Sequence, residues 1–162
     1  MADANQQADI AGHEFLAFTL GKEEYGIDIQ KVSEIRNYEA PTRIASAPEF
    51  VKGVINLRGI IVPIVDMRIA FGPRPPEHDP GTDVIILKLS SCVMGMVTDG
   101  ITDIVSLARS QIKPFPNLSA EAARDADYLL GLAETGERRL IVLDIDRLMA
   151  IRRVNLGSRH AA

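Results

Sequence analysis

The chain has 162 residues and a mass of 17.7 kDa, a size at which one domain can bury a core without disulfides or metals. It carries 18 Lys and Arg against 22 Asp and Glu, and this negative balance disfavours nucleic acid and anionic lipid as partners. A lone cysteine, no visible secretion signal and no apolar run long enough to span a bilayer together predict a cytoplasmic protein.

Strand-length apolar or alternating runs dominate the chain after a polar N-terminal arm at residues 1–13. Turn residues, such as Gly21 and Arg58-Gly59, separate many of the runs. Asp99-Gly100 lies between two apolar runs and predicts a hairpin. The predicted strands are Phe15–Leu20, Tyr25–Ile29, Val32–Arg36, Gly53–Leu57, Ile60–Asp66, Asp83–Leu89, Val93–Thr98, Ile101–Leu107 and Leu140–Ile145.

Helical signals are confined to three short segments, Pro48–Lys52, Ser119–Tyr128 and Asp146–Ala150. All three are predicted to be peripheral. The stretch 72–81 contains four prolines and predicts a surface loop or hinge, because proline fixes φ and removes a hydrogen-bond donor. The sequence therefore predicts a mainly β fold.

Two halves of the chain, separated by the proline-rich stretch, repeat one another at matching intervals. Gly26 and Gly95 each follow an apolar run by six residues, and Gly53 and Gly131 each precede an aspartate by thirteen. The interval between the two glycines of a half is 27 residues in the first half and 36 in the second. Similar apolar runs can match by chance in a β protein, but a duplication explains the shared spacing better.

A unit of about five short strands removes its exposed edges most economically by closing into a small barrel. Two units predict two five-stranded β-barrel lobes packed side by side, with the repeat boundary near residues 72–82. A groove between two lobes is a natural place for the apolar face of a partner's helix.

The sequence contains none of the common catalytic or metal-binding motifs. His13, His78 and His160 lie in the flanks or the proline-rich stretch and are predicted to be solvated, and Cys92 has no adjacent cation that would activate it. The aspartates after Gly53 and Gly131 follow apolar strands, which favours structural turns over an acid/base pair. The sequence predicts neither an enzyme nor a cofactor.

The turn Asn56-Leu57-Arg58-Gly59 carries polar residues that the second half does not match. Arg58 lies between two apolar strands, where a partly desolvated guanidinium needs a carboxylate, and Glu34 is its predicted partner. An arginine that extends into solvent beside a turn glycine is the alternative. The second half is interpreted as having no polar residues at the places that match Glu34, Asn56 and Arg58. The two lobes are therefore expected to bind different partners.

The sequence resembles the CheW family, the coupling proteins of bacterial chemotaxis, over most of its length. The resemblance rests on EFLAFTLGKEEYGIDIQKVSEIR, TRIASAPEFVKGVINLRGIIVPIVDMR and MGMVTDGITDIVSL, and on the LLGL and LIVLDIDRL blocks. The segment GVINLRGIIVPIVDMR is the most specific of these. Its expected context of strand, turn and strand is the one that the residues themselves predict.

This resemblance implies a domain at 14–150 with two SH3-like five-stranded barrels and short peripheral helices. It implies a non-enzymatic scaffold that joins methyl-accepting chemoreceptors to the histidine kinase CheA in membrane receptor arrays. In the family, the receptor's cytoplasmic hairpin tip docks between the lobes, and barrel surfaces bind the kinase's C-terminal regulatory domain. The receptor-binding candidates carried over by motif are Val32, Glu34, Ile35, Gly53, Asn56, Leu57, Arg58 and Gly59, and the kinase-binding candidates are Ile44, Phe50, Val51 and Val54.

Two features depart from the family pattern, the proline-rich loop at 72–81 and the tail at 151–162, which carries three arginines. They leave open whether the chain serves chemotaxis itself or a related, non-flagellar signalling pathway. A small β-barrel that binds nucleic acid or a small ligand is an alternative of another class. The negative charge and the scarcity of aromatic residues disfavour it, and direct membrane insertion is not expected.

Overall fold

The computed structural model of the chain describes residues 13–48, 50–68, 82–90, 92–116 and 128–149. Most of these residues form strands, as predicted. The remaining regular structure in these ranges is two 3₁₀ turns, Ile29–Lys31 and Arg109–Gln111, the helical residues 67–68, and a short helix at 145–149, which we call α1. The strands are β1 (His13–Leu20), β2 (Glu23–Asp28), β3 (Val32–Asn37), β4 (Val51–Leu57), β5 (Ile60–Asp66), β6 (Asp83–Lys88), β7 (Val93–Thr98), β8 (Gly100–Leu107), β9 (Ile112–Lys113), β10 (Leu129–Thr135) and β11 (Arg138–Leu143).

The strands form two sheets, which we call lobe A and lobe B. Lobe A has the order β8-β1-β2-β11-β10-β9 and lobe B the order β3-β6-β7-β5-β4. Neighbouring strands are antiparallel except β2 with β11 and β5 with β7, which are parallel. Within the described ranges neither sheet closes by pairing its two outer strands, so the lobes fit an SH3-like description as open sheets rather than closed barrels.

The sheets do not follow the two halves of the sequence. Lobe A combines the hairpin β1–β2 with β8 to β11, and lobe B combines β3 to β5 with the hairpin β6–β7. When the halves are aligned on Gly26 and Gly95, the five corresponding strands have the same order in both lobes. Each half therefore contributes its first hairpin to the other half's lobe, and the expectation that one repeat forms one lobe is wrong.

Two of the repeated glycines, Gly26 and Gly95, lie where strands from the two halves of the chain pair. Gly26 is opposite Val142 in the parallel pair β2–β11, and Gly95 is opposite Ile64 in the parallel pair β5–β7. A Cβ atom at Gly26 would come within 3.2 Å of the Leu140 side chain. The absence of a side chain therefore lets a core residue of the neighbouring strand pack directly on the hairpin backbone.

Three apolar clusters form the core. One lies within lobe A and includes Phe15, Val105 and Leu140, and one lies within lobe B and includes Val62 and Ile86. The largest joins the lobes and contains side chains from both sheets and from α1: Leu16, Phe18, Leu20, Ile27, Val65, Met67, Ile85, Leu87, Met94, Met96, Leu143, Ile145, Leu148 and Met149. Hydrophobic burial therefore holds the lobes together as well as stabilising each one.

Several local predictions differ from the structure. Asp99-Gly100 is not a hairpin, because β7 pairs within lobe B and β8 pairs with β1 of lobe A, so the chain crosses between sheets there. At the predicted helical segment Pro48–Lys52 the Val51 N–H donates to the Pro48 carbonyl, and Val51 and Lys52 already belong to β4. The nine predicted strands correspond to β1 to β8 and to β11. Two further strands, β9 and β10, were not predicted. The C-terminal helical segment is confirmed as α1.

Other predictions concern residues outside the described ranges. The proline-rich loop, the C-terminal tail and all of the predicted helix Ser119–Tyr128 except Tyr128 lie there, as does the N-terminal arm except His13, where β1 begins.

The close approach at Gly131 gives a first testable prediction. A Cβ atom there would lie 2.5 Å from the Lys113 carbonyl oxygen and 2.9 Å from its carbon, so the backbone of β9 would have to move. We expect Gly131→Ala to lower the free energy of unfolding by about 1–3 kcal/mol in chemical denaturation. Gly100→Ala is the matched control, because its nearest atom is Thr19 Oγ1 at 3.9 Å, and its effect should stay within about 0.5 kcal/mol. Equal losses in the two variants would refute the steric account.

Candidate functional site

The β4–β5 hairpin turn fixes the position of Arg58. Both residues of the turn have positive φ, 51° at Arg58 and 90° at Gly59, which is the backbone pattern of a type I′ hairpin turn. The Asn56 side-chain oxygen accepts a hydrogen bond of 2.8 Å from the Gly59 N–H. The sequence Asn-Leu-Arg-Gly thus supplies both the glycine and the side-chain acceptor that hold Arg58 in a conformation unusual for its residue type.

Arg58 and Arg36 share the carboxylate of Glu34. Arg58 Nη2 donates to Glu34 Oε2 at 2.5 Å, and Arg36 Nη1 donates to Glu34 Oε1 at 3.2 Å. The predicted pairing of Glu34 with Arg58 is confirmed. Arg36 was not predicted as a partner of Glu34. The signal was present in the sequence, because residues two apart in a strand lie on the same face.

The ion pair links the two ends of lobe B. Glu34 lies in β3 and Arg58 follows β4, and these strands are the outermost of the five. A contact between residues at opposite ends of a sheet requires the sheet to curl until its outer strands approach each other. The Glu34–Arg58 pair therefore closes lobe B with side chains where strand pairing does not.

The two guanidinium groups lower the pKa of Glu34, with the hydrogen bond from Arg58 as the larger cause and that from Arg36 as the second. Because the pKa of the folded state is lowered, the pair stabilises the fold above the unfolded-state pKa, and this contribution is lost as pH falls through the folded-state pKa. With one carboxylate between two guanidinium groups, the cluster carries a net positive charge near neutral pH.

Lobe A contains a corresponding link. Arg138 in β11 donates to both carboxylate oxygens of Asp103 in β8, at 3.0 and 2.8 Å, and to both oxygens of Glu24 in β2. Asp103 lies eight residues after Gly95, as Glu34 lies eight after Gly26. The expectation that Glu34 has no polar counterpart is therefore wrong. The arginines do not align in the repeat, because Arg138 is seven residues after Gly131 and Arg58 is five residues after Gly53.

The apolar receptor-binding candidates differ in accessibility. Ile35 is 46% exposed, and Val32 is half-buried against the core between the lobes. Burial alternates along β3, so Ile35 and Glu34 lie on opposite faces of the strand. Gly53 and Leu57 are buried, so they support the β4–β5 hairpin and are not exposed to a partner.

The kinase-binding candidates are not gathered into one exposed patch. Ile44 is exposed, and Val54 exchanges two backbone hydrogen bonds of 2.9 Å with Thr42, two residues before Ile44. Val51 is buried, and Phe50 packs against the core between the lobes. Of the four, Ile44 is therefore the exposed candidate, Phe50 and Val54 are half-buried, and Val51 is buried.

The described residues hold no group of three or more His, Cys, Asp or Glu side chains that could bind a metal. In the same part of the chain no helix is long and apolar enough to cross a membrane. Asp66 and Asp144 serve as turn residues, as predicted: their carboxylates accept the N–H groups of Arg68 at 3.0 Å and Arg147 at 3.2 Å.

The lowered pKa of Glu34 can be measured directly by a carboxyl-carbon NMR titration. We expect a pKa below 4.5, the ordinary value for glutamate, and an upward shift in Arg58→Ala because the larger stabilising hydrogen bond is removed. Asp103 is the internal control, since its own pKa is lowered by Arg138 in the other lobe and should not change. A Glu34 pKa that is the same with and without Arg58 would show that the pair does not persist in solution.

Comparisons with known proteins agree on one family. Residues 14–153 match the family model of the CheW-like domain. The chain is 50% identical over 142 residues to the chemotaxis protein CheW of Klebsiella aerogenes, covering 88% of this chain and 84% of that one. It is 30% identical over 146 residues to CheW of Rhizobium meliloti, covering 90% and 93%.

A solved structure gives the same result for the fold. The scaffolding protein TtCheW from Thermoanaerobacter tengcongensis superposes with a TM-score of 0.72 at 28% sequence identity, covering 82% of this chain and 88% of that chain. The family match spans most of the sequence, and the two-sheet architecture is shared. The chain therefore belongs to the CheW family, the non-enzymatic scaffold proteins of bacterial chemotaxis.

Proposed function

We propose that this chain couples methyl-accepting chemoreceptors to the histidine kinase CheA, and that a receptor's cytoplasmic hairpin tip binds beside the Glu34–Arg58 pair. The observation that carries the proposal is the pair of arginines around Glu34 at the curled end of lobe B. Membership of the CheW family supplies the class of partner.

The chemistry of this surface suits an amphipathic helix with acidic residues. The Arg58 side chain is 68% exposed and uses one of its five N–H donors on Glu34, so other donors face solvent and can reach a partner's carboxylate. Val32, half-buried two residues before Glu34 in β3, offers apolar area near the pair, whereas Ile35 is exposed on the opposite face of the strand. Asn56 and Gly59 contribute indirectly, because they set the turn that aims Arg58.

The kinase's C-terminal regulatory domain is proposed to bind at exposed Ile44 and at half-buried Val54 in β4. Phe50 and Val51 then act from within, by holding the start of β4 against the core. Through its two partners the chain would be recruited to receptor arrays at the membrane. A non-flagellar pathway of the same design remains the alternative, and the identity of the captured receptor distinguishes the two.

Co-sedimentation with receptor-containing membranes tests the receptor site. We expect Arg58→Ala to weaken binding about tenfold or more, because truncating one member of an interfacial charge cluster leaves other charges unpaired. Arg139→Ala is the matched control: its side chain is 74% exposed and lies 3.8 Å from Glu134 in lobe A, so binding should not change. Equal binding by both variants would remove Arg58 from the receptor site.

A pull-down with the C-terminal domain of a CheA kinase separates the two proposed surfaces. Arg58→Ala should still capture the kinase domain, whereas Ile44→Asp should lose it. If the unmodified chain captures neither partner but retains a nucleotide or metabolite, the coupling function is refuted.

A further inference from the structure

Two neighbouring isoleucines, Ile60 and Ile61, directly follow the turn that holds Arg58. Ile60 is 56% exposed and Ile61 is 61% exposed, which makes them the two most exposed large apolar side chains in the described part of the chain. Single exposed isoleucines are ordinary in soluble proteins. The significance of these two therefore depends on what lies beside each of them.

The two isoleucines lie on opposite faces of the sheet. In the register of β4 with β5, Ile60 is paired with Leu57 and Ile61 is paired with Asn56. Paired residues of an antiparallel ladder lie on the same face, and residues two apart along a strand also share a face. Ile60 therefore shares its face with Leu57 and Val62, which belong to the apolar cluster inside lobe B. We call this face the inner face of lobe B.

The charged cluster lies on the same inner face. Glu34 is paired with Ile86 in the register of β3 with β6, and Ile86 also belongs to the apolar cluster inside lobe B. Arg36 lies two residues further along β3 on the same face, and Arg58 reaches Glu34 from the turn. The fold therefore brings Ile60 and the charged cluster to one face of lobe B.

Ile61 belongs to a different surface. Pro63 lies two residues further along β5 and is paired with Val54 of β4, so Ile61 shares its face with both of these residues and with Asn56. Ile61 has the same chemistry as Ile60, a similar exposure and the adjacent position in the chain, but it points away from the inner face. The chain thus contains a matched control for Ile60.

The chemistry beside Ile60 favours an acidic partner. Two guanidinium groups around one carboxylate give the cluster a net positive charge, although the whole chain has a net charge of −4. A local charge opposite in sign to that of the whole protein selects partners that present an acidic residue at this place. An aliphatic side chain on the same face suits the apolar stripe of an amphipathic helix.

We propose that Ile60 is the apolar anchor of the receptor site, which binds an acidic amphipathic helix with Ile60 against its apolar stripe and Arg58 paired with one of its carboxylates. The inference rests on the proposed coupling function and adds a contact residue to it. The carboxylate and the apolar residue that meet this surface lie about three or four positions apart on the helix, because such residues share a helix face. Ile61 takes no part in this site.

Co-sedimentation of the full chain with receptor-containing membranes tests the anchor. Ile60→Thr and Ile61→Thr are the matched pair, because threonine keeps the branched β carbon that suits a strand and replaces an apolar group with a hydroxyl. We expect Ile60→Thr to weaken binding about fivefold or more, as truncation of an interface hot spot does. Ile61→Thr should bind like the unmodified chain, and so should Ile60→Leu, which keeps the apolar area.

The salt dependence of binding separates the anchor from the charges. Salt screens charge pairs but not apolar contacts, so binding by Ile60→Thr should fall with salt as steeply as binding by the unmodified chain, whereas Arg58→Ala should show a flatter decline. A flatter decline in Ile60→Thr would show that the substitution acts through the charged cluster, which contradicts an apolar contact.

Three further results would overturn the anchor: full binding by Ile60→Thr, equal losses in Ile60→Thr and Ile61→Thr, or a loss in Ile60→Leu as large as that in Ile60→Thr. Capture of the kinase's C-terminal domain by Ile60→Thr, at the level of the unmodified chain, shows that this variant is folded. If the unmodified chain itself fails to bind the membranes, the coupling function fails. If it binds and Ile60→Thr binds equally well, the anchor alone fails.

Discussion

The parallel pairing of β2 with β11 and of β5 with β7 is the constraint on which the rest of the structure depends. Each pair joins a hairpin from one half of the chain to the last strand of the other half. The two halves of the chain consequently cannot separate without losing these backbone ladders, and separation of the lobes would expose the apolar core that they share. At Gly95 the Ile64 side chain occupies the space of a Cβ atom, and at Gly26 the Leu140 side chain would have to shift slightly to admit one.

The exchanged hairpins also determine which strands form the edges of the two sheets. Inserting a hairpin in the middle of each sheet leaves β3 and β8 as outer strands, and their acids, Glu34 and Asp103, each bond an arginine from elsewhere in the same sheet. An exposed isoleucine follows each of these acids on the opposite face of its strand: Ile35 is 46% exposed and Ile104 is 54% exposed. Sheet edges that carry both charged and apolar side chains suit a scaffold.

The strands and turns of this fold could be predicted from the sequence, whereas the assignment of each hairpin to a lobe could not. Strands, turns and the repeat are encoded locally, so the spacing around Gly26 and Gly95 predicted the common unit and the turn at Arg58 predicted its ion pair. The exchange of hairpins could not be predicted, because the same strands would satisfy the same patterns within one half. Asp99-Gly100 was misread for this reason, and Arg138 was missed because its position in the repeat is not that of Arg58.

The central claim is that the halves of the chain fold only together. Far-ultraviolet circular dichroism of the separate segments 1–81 and 82–162, alone and mixed in equal amounts, tests it most directly. The account predicts that neither segment alone gives a sheet spectrum with a cooperative thermal transition, and that the mixture gives both. A segment that folds cooperatively by itself would contradict the exchange of hairpins as the basis of the structure.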